Sequence, residues 1–324
     1  MAEPLTSRRV SPALILSLMG AAALVCIVLF LSLGARGSWS FVLPYRGMRL
    51  AALVVVAAAV SISTVLFQTV TNNRILTPSI MGFDSLFVLI QTCILFFFGA
   101  IALSGLDPRL LFMVQVAVMA GFSILLYKLL FSGGMRSLHL MLLVGVVFGV
   151  FFRSLSGLMQ RLMDPNEFVV LQDRLFASFN TVDPQLLGIS AVVLTVVSVL
   201  ALRNLSVLDV LALGRDTSIG LGVDHRRAVR GILLCVALLV AISTALVGPV
   251  TFFGLLVANL AYLATPSHRH RHVVPAAVLI SIICLIGGQM IVERLFAFDT
   301  ALSIVIEFAG GIMFIIMLLR GAAR

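Results

Sequence analysis

The residues able to do chemistry are few, and most of them stand inside apolar sequence. Among 22 Lys and Arg there is one lysine, Lys128, held in Leu-Leu-Tyr-Lys-Leu-Leu. A nucleotide-binding P-loop needs its lysine after glycine and before Ser or Thr, so this chain holds no ATP through such a loop. Cys26, Cys93, Cys235 and Cys284 are far apart, without C-x-x-C spacing, and read as small buried hydrophobes rather than a disulfide or zinc framework. His268, His270 and His272 alternate with Arg269 and Arg271. Alternating histidines can bind metal, but no Cys or carboxylate stands near them in the sequence, and a basic turn that fixes topology is the better reading. H-E-x-x-H, G-x-S-x-G and paired catalytic carboxylates are lacking, so an intramembrane enzyme ranks last among the functions considered.

Three charges interrupt apolar runs: Asp84, Arg153 and Glu307. An ionised group at the bilayer centre costs about 2.5 to 3.5 kcal/mol on insertion scales, so each must face protein, water or an interface. The plain reading has Arg153 reaching outward to headgroups and Asp84 capping a helix start. Arg46 and Arg49 lie three apart, hence on one helical face, and Arg294 ends a later run. By themselves these arginines read as interfacial snorkelling. Gly145 and Gly149 form a G-x-x-x-G that permits close helix approach.

The elements that position these residues follow from composition. Of 324 residues, 61% are hydrophobic and 11% charged, against about 25% charged in a soluble domain. That deficit excludes a water-soluble globular protein, a disordered chain and a coiled coil. The formal charge of +9 does not signal nucleic acid, because its arginines are scattered between long apolar runs. A spanning helix needs about 20 apolar residues, and ten runs are expected: 12 to 34, 47 to 70, 81 to 103, 108 to 131, 138 to 160, 184 to 203, 227 to 247, 250 to 264, 273 to 293 and 300 to 320. The eighth is short enough to be broken or buried. The first follows Arg8 and Arg9 and reads as an uncleaved span. Alternating the spans collects most arginines on one face, including Arg74, Arg136, Arg203, Arg215, Arg226, Arg227, Arg230, Arg269, Arg271, Arg320 and Arg324. The opposite face, which includes Asp299, is nearly neutral. By the positive-inside rule both termini are cytoplasmic.

Two connections exceed a turn. The outer one carries Phe168, Leu171, Leu175, Phe176 and Phe179 and predicts an interfacial helix over about 164 to 180. The cytoplasmic one, 204 to 226, predicts two short helices, the first stopped by Gly214 and the second capped by Asp216 or Thr217, with apolar residues left for a partner to cover.

Four stretches resemble the FecCD-type permeases of type II ABC importers for iron siderophores and vitamin B12. Ser63 to Gln68, then Asn73, Thr77-Pro78 and Gly82, look like that family's S-G-x-x-x-Q and R-N-P-L-A-x-P-x-x-x-G pattern. Leu213-Gly214 and Leu221-Gly222-Val223 match its L-G and L-G-V pair, Gly248-Pro249-Val250 with Phe253-Gly254-Leu255 its G-P-I-x-F-x-G-L, and Arg46 with Arg49 its R-x-x-R. The sequence departs at Thr64 (usually Gly), Arg74 (usually Pro), Ala258-Asn259 (usually Pro-His), Tyr262 (usually Arg), and Glu307 and Ile312 (usually small residues and Pro).

The resemblance implies an all-α polytopic membrane protein of about ten transmembrane helices, residues 1–324 forming one permease domain of type II ABC importer architecture in the cytoplasmic (inner) membrane. It implies import of an iron-siderophore complex, with vitamin B12 or haem as alternatives, and no catalysis by this chain. ATP and Mg would be bound by two partner ATPase subunits, and no cofactor or metal ligand is expected here. A second permease, homologous or identical, and an extracytoplasmic siderophore-binding protein complete the assembly. Arg46, Arg49 and Arg294 would dock the binding protein. Leu213, Gly214, Leu221, Gly222 and Val223 would couple to the ATPase. Gln68, Asn73, Pro78, Arg153 and Glu307 would line the pathway, Arg153 and Glu307 either touching it or pairing with each other. From a different class, an ion-coupled secondary transporter using Asp84, Arg153 and Glu307 is the competing reading.

Overall fold

The computed structural model describes residues 11–34, 38–131, 138–180, 182–203, 205–295 and 301–319. The flanking Arg8, Arg9, Arg136, Arg320 and Arg324, and Asp299, lie outside them. Thirteen α-helices follow in order: α1 (Pro12–Ser32), α2 (Trp39–Thr71), α3 (Phe83–Ser104), α4 (Pro108–Phe131), α5 (Leu138–Leu162), α6 (Pro165–Leu175), α7 (Pro184–Leu202), α8 (Leu205–Leu211), α9 (Arg215–Gly220), α10 (His225–Val247), α11 (Phe253–Ala264), α12 (His270–Leu295) and α13 (Leu302–Leu319). Eight are long and apolar enough to cross a membrane, and α11 and α13 are shorter apolar helices, so all ten sequence runs are helical. Helices are what lipid demands, since a bilayer core offers no water to unpaired backbone groups.

Several helices start at one local signature, an oxygen-bearing side chain followed by proline. Ser11, Asp107, Asp164 and Asp183 each accept from a backbone N–H of the first turn of the helix that begins at the next residue, and proline at the first position loses no bond there. Two boundaries differ from the sequence reading. α2 begins at Trp39 instead of 47, because Pro44 lies inside the helix rather than ending it. Its 33 residues span about 50 Å, well beyond a hydrocarbon core of about 30 Å. α6 stops at Leu175; beyond it Phe179 is buried and Ser178 N–H donates to the Val247 carbonyl at 2.8 Å, closing the end of α10.

α2 is the centre of the bundle, buried along most of its length and packed on α10, α12, α11 and α7, whereas α1 lies at the periphery and buries only Ala23 and Phe30. Three breaks interrupt the bundle. After α2 the chain turns at Asn72, which has φ 49°, and re-enters as a 3₁₀ turn, Pro78–Met81, lodged against α5. After α10 it turns at Gly248, φ 101°, into the short α11. Within α3, Gly99 leaves the helix with φ 72°, and Glu167 of α6 accepts the freed Ala100 N–H at 2.6 Å. α6 therefore caps a broken helix and buries Leu171 beside Leu95. Removing a capping acceptor typically costs about 1 kcal/mol. Glu167→Ala should lower the unfolding midpoint in detergent, and Glu167→Gln, which keeps the acceptor, should recover most of the loss.

Candidate functional site

The two re-entrant turns meet at Asp84, the second residue of α3. Thr251, from the turn between α10 and α11, donates to Asp84 Oδ2 at 2.9 Å, and Ser79 of the 3₁₀ turn lines the same small cavity. Arg153 of α5 acts on Asp84 through space, and Glu307 of α13 does so with like charge while its carboxylate also reaches Thr251. Arg153 and Glu307 form no ion pair with each other among the described residues. Asp84 is thus more than a helix cap: it sits in a polar cluster whose members the sequence places in separate spans. Pro78 lines a small cavity beside it, together with Ser63, Thr64, Ser243 and Thr244.

Gln68 and Asn73 lie elsewhere, at the far end of α2. Gln68 Nε2 donates to the Arg74 carbonyl at 2.7 Å, and Asn73 Oδ1 accepts from Ile75 N–H at 2.9 Å. The five expected pathway residues therefore divide into an upper group, Pro78, Arg153 and Glu307, and a lower group, Gln68 and Asn73. The lower group borders a cavity of ≈ 770 Å³ that also takes in Asp209, Leu213, Tyr262 and His270. Arg74 stacks on Tyr262 at 4.4 Å, and its carbonyl accepts from Asn259 Nδ2 at 3.1 Å.

Arg46, Arg49 and Arg294 do come together, around a cleft of ≈ 360 Å³ with Gly34, Tyr45 and Glu293. Their environments differ. Arg46 Nη1 donates to the carbonyls of Phe30 and Leu33, each at 2.7 Å, so Arg46 closes the C-terminus of α1. Arg49 stacks on Tyr45 at 4.3 Å, hydrogen-bonds its hydroxyl and faces Glu293 at 3.6 Å. Arg294 is exposed and lies against Gly34.

At the opposite end, α8 and α9 form the predicted two-helix step, but Gly214, φ 97°, is the N-cap of α9, and Asp216 falls inside its first turn. Gly222 repeats the left-handed turn at φ 83°. These two glycines lift Leu213, Ile219 and Leu221 into solvent, each at least half exposed, while Val223 is partly buried. Sequence reading missed the partner of His270. That side chain is buried, and its Nδ1 lies 2.6 Å from Asp209 of α8, a carboxylate 61 residues away in the chain. The only hint was an acid standing alone in the apolar helix Leu-Ser-Val-Leu-Asp-Val-Leu.

Residues 11–320 match the model of the FecCD transport family. The chain belongs to that family. Among its relatives are the petrobactin import system permease YclO of Bacillus subtilis, 46% identical over 94% of this chain and 96% of that protein, and the petrobactin import system permease FatC of Bacillus anthracis, 41% identical over 87% and 80%. A metal-chelate type ABC transporter solved in an inward-facing conformation shares the fold, with a TM-score of 0.82 at 21% identity over 95% of this chain and 99% of that one. In this FecCD permease the Asp84 cluster and the α8–α9 step thus sit on a transporter scaffold, a multi-pass bundle with a break beside each.

Proposed function

We propose that residues 1–324 form a single permease domain of an ABC importer for ferric siderophores of the petrobactin kind. The observation that carries this reading is the near full-length likeness to two petrobactin import permeases. The arginine-rich end with α8 and α9 is cytoplasmic, as are both termini, and the chain resides in the cytoplasmic membrane. A second permease, homologous or identical, pairs with it, and the substrate passes between the two, past Arg153, Glu307 and Pro78 and then Gln68 and Asn73. On the outer face Arg49 and Arg294 meet carboxylates of a siderophore-binding protein, and Arg46 holds α1 in place beneath them. Exposed pairs of this kind contribute about 0 to 1 kcal/mol each, so they set register and steer encounter. On the inner face Leu213, Gly214, Leu221, Gly222 and Val223 seat in a groove of one of the two ATPase subunits, which bind ATP and Mg.

Ferric petrobactin uptake by a strain lacking the gene tests this. Restoring the wild-type chain should restore uptake that requires ATP and survives collapse of the proton gradient. Uptake that needs no ATPase and falls with the gradient would instead favour an ion-coupled carrier acting through Asp84, Arg153 and Glu307. Leu221→Asp should place a charge in the covered surface and abolish co-purification of the ATPase.

A further inference from the structure

A docking step moves a membrane helix only if the two are joined. α8 has seven residues, and beside it lies a cavity of ≈ 770 Å³, so on that side no packed side chains resist its displacement. On its other side Leu208 and Leu211 are buried in the core, and a chain of short hydrogen bonds ties it to α12 and α2. Asp209 Oδ1 of α8 accepts from the backbone N–H of His270 at 2.8 Å and faces His270 Nδ1 at 2.6 Å. These two contacts to one carboxylate oxygen fix the orientation of the ring. Nε2 is then directed at Thr69 Oγ1 of α2, 2.6 Å away. The Thr69 hydroxyl is itself tied to its own helix through the Val65 carbonyl at 2.8 Å. His270 and Thr69 are both buried, so these bonds compete little with water. A longer contact, Asn72 Nδ2 to the Leu211 carbonyl at 3.5 Å, marks the edge of the same junction.

We propose that Asp209, His270 and Thr69 form the joint through which displacement of α8 reaches α2, with His270 a positioning residue for transport. The end of α2 leads straight into the re-entrant segment, to which Gln68 ties it through the Arg74 carbonyl, the same oxygen that accepts from Asn259 of α11. That segment carries Pro78 and Ser79 to Asp84. The joint therefore connects the inner docking step to the polar cluster through one short segment, residues 72 to 77, pinned at the Arg74 carbonyl. This inference rests on the proposed seating of α8 and α9 in the ATPase.

The test uses the assembled transporter, permease with its ATPase and partner permease, in vesicles loaded with the binding protein and ferric petrobactin. Thr69→Val removes the hydroxyl at nearly constant shape, and Thr69→Ser keeps it. Thr69→Val should assemble normally and lower the petrobactin moved per ATP hydrolysed by about 2- to 30-fold, the range for residues that carry coupling between sites. Thr69→Ser should restore the wild-type ratio, and Asp209→Asn should lower it as Thr69→Val does. An unchanged ratio in assembled Thr69→Val overturns the joint. If the wild-type permease does not bind the ATPase at all, the docking reading fails, and the joint with it. Should Thr69→Val not assemble, spin labels at positions 206 and 73 of the otherwise wild-type transporter decide: one distance with and without ATP supports the joint, and a distance that changes on ATP binding overturns it.

Discussion

Gly82→Ala should abolish uptake and sharply destabilise the protein. Gly82 has φ 87°, in the left-handed region where a side chain costs about 1 to 2 kcal/mol. Space is the larger obstacle: a Cβ there would lie 3.0 Å from Gly149 N and 3.1 Å from the Gly145 carbonyl oxygen, both backbone atoms of α5. Overpacking of this kind costs about 1 to 3 kcal/mol, so the sum is about 2 to 5 kcal/mol. The contact is reciprocal, because a Cβ on Gly145 would meet Met81 Cα at 2.9 Å. Gly145→Ala sets two effects against each other. Alanine gains about 0.8 to 1.0 kcal/mol of helix propensity over glycine, but backbone cannot rotate aside as a side chain can, and the clash should win. Gly157, in the same helix with nothing within 4 Å of an added methyl, is the control. Thermal unfolding in detergent with uptake in cells should rank Gly157→Ala as neutral or stabilised and the other two as damaged. Gly82→Ala as stable as Gly157→Ala would refute backbone contact as the reason for these glycines.

The G-x-x-x-G of Gly145 and Gly149 was legible as a close-approach motif, but not its partner. Sequence suggested another helix, whereas the structure seats a re-entrant turn there, and no periodicity announces a 3₁₀ turn of four residues. The ten spans were legible because lipid imposes one pattern on all of them, and their boundaries failed chiefly at Pro44, where proline was read as a stop. The site residues were legible as types but not as neighbours. Asp84, Thr251 and Glu307 come from elements 56 to 223 residues apart, and nothing local in a chain records such a meeting. His270 shows the same limit: its surroundings in sequence are basic, and its carboxylate arrives from α8.

The departures from the family pattern carried more than they first gave. Taken singly, Arg74, Asn259 and Tyr262 are three substitutions at separate places. In the fold Arg74 stacks on Tyr262 and the backbone carbonyl of residue 74 accepts from the Asn259 amide, so the three positions are neighbours. Side chains that touch couple, so a change at one is felt at the others.

Thr64 gives this logic its clearest expected result. It stands where the family pattern has glycine, and it faces Gly254, the second residue of α11. A Cβ on Gly254 would overlap Thr64 Oγ1 and come within 3.2 Å of both Thr64 Cβ and Val60 Cγ1. Both positions sit beside the Thr251–Asp84 hydrogen bond, so any retreat of α11 also pulls on the polar cluster. Gly254→Ala alone should cost about 1 to 3 kcal/mol by overpacking and reduce uptake. Thr64→Gly alone loses a buried side chain and stiffens nothing, costing about 1 kcal/mol from glycine in a helix. Together they remove the Thr64 side chain that an added Gly254 methyl would meet, and the double variant should be more stable than the sum of the singles by about 0.5 to 3 kcal/mol. A double-mutant cycle on unfolding midpoints and on uptake measures that coupling. Strict additivity would mean that α2 and α11 do not touch through these residues, and that the family glycine at 64 has another purpose.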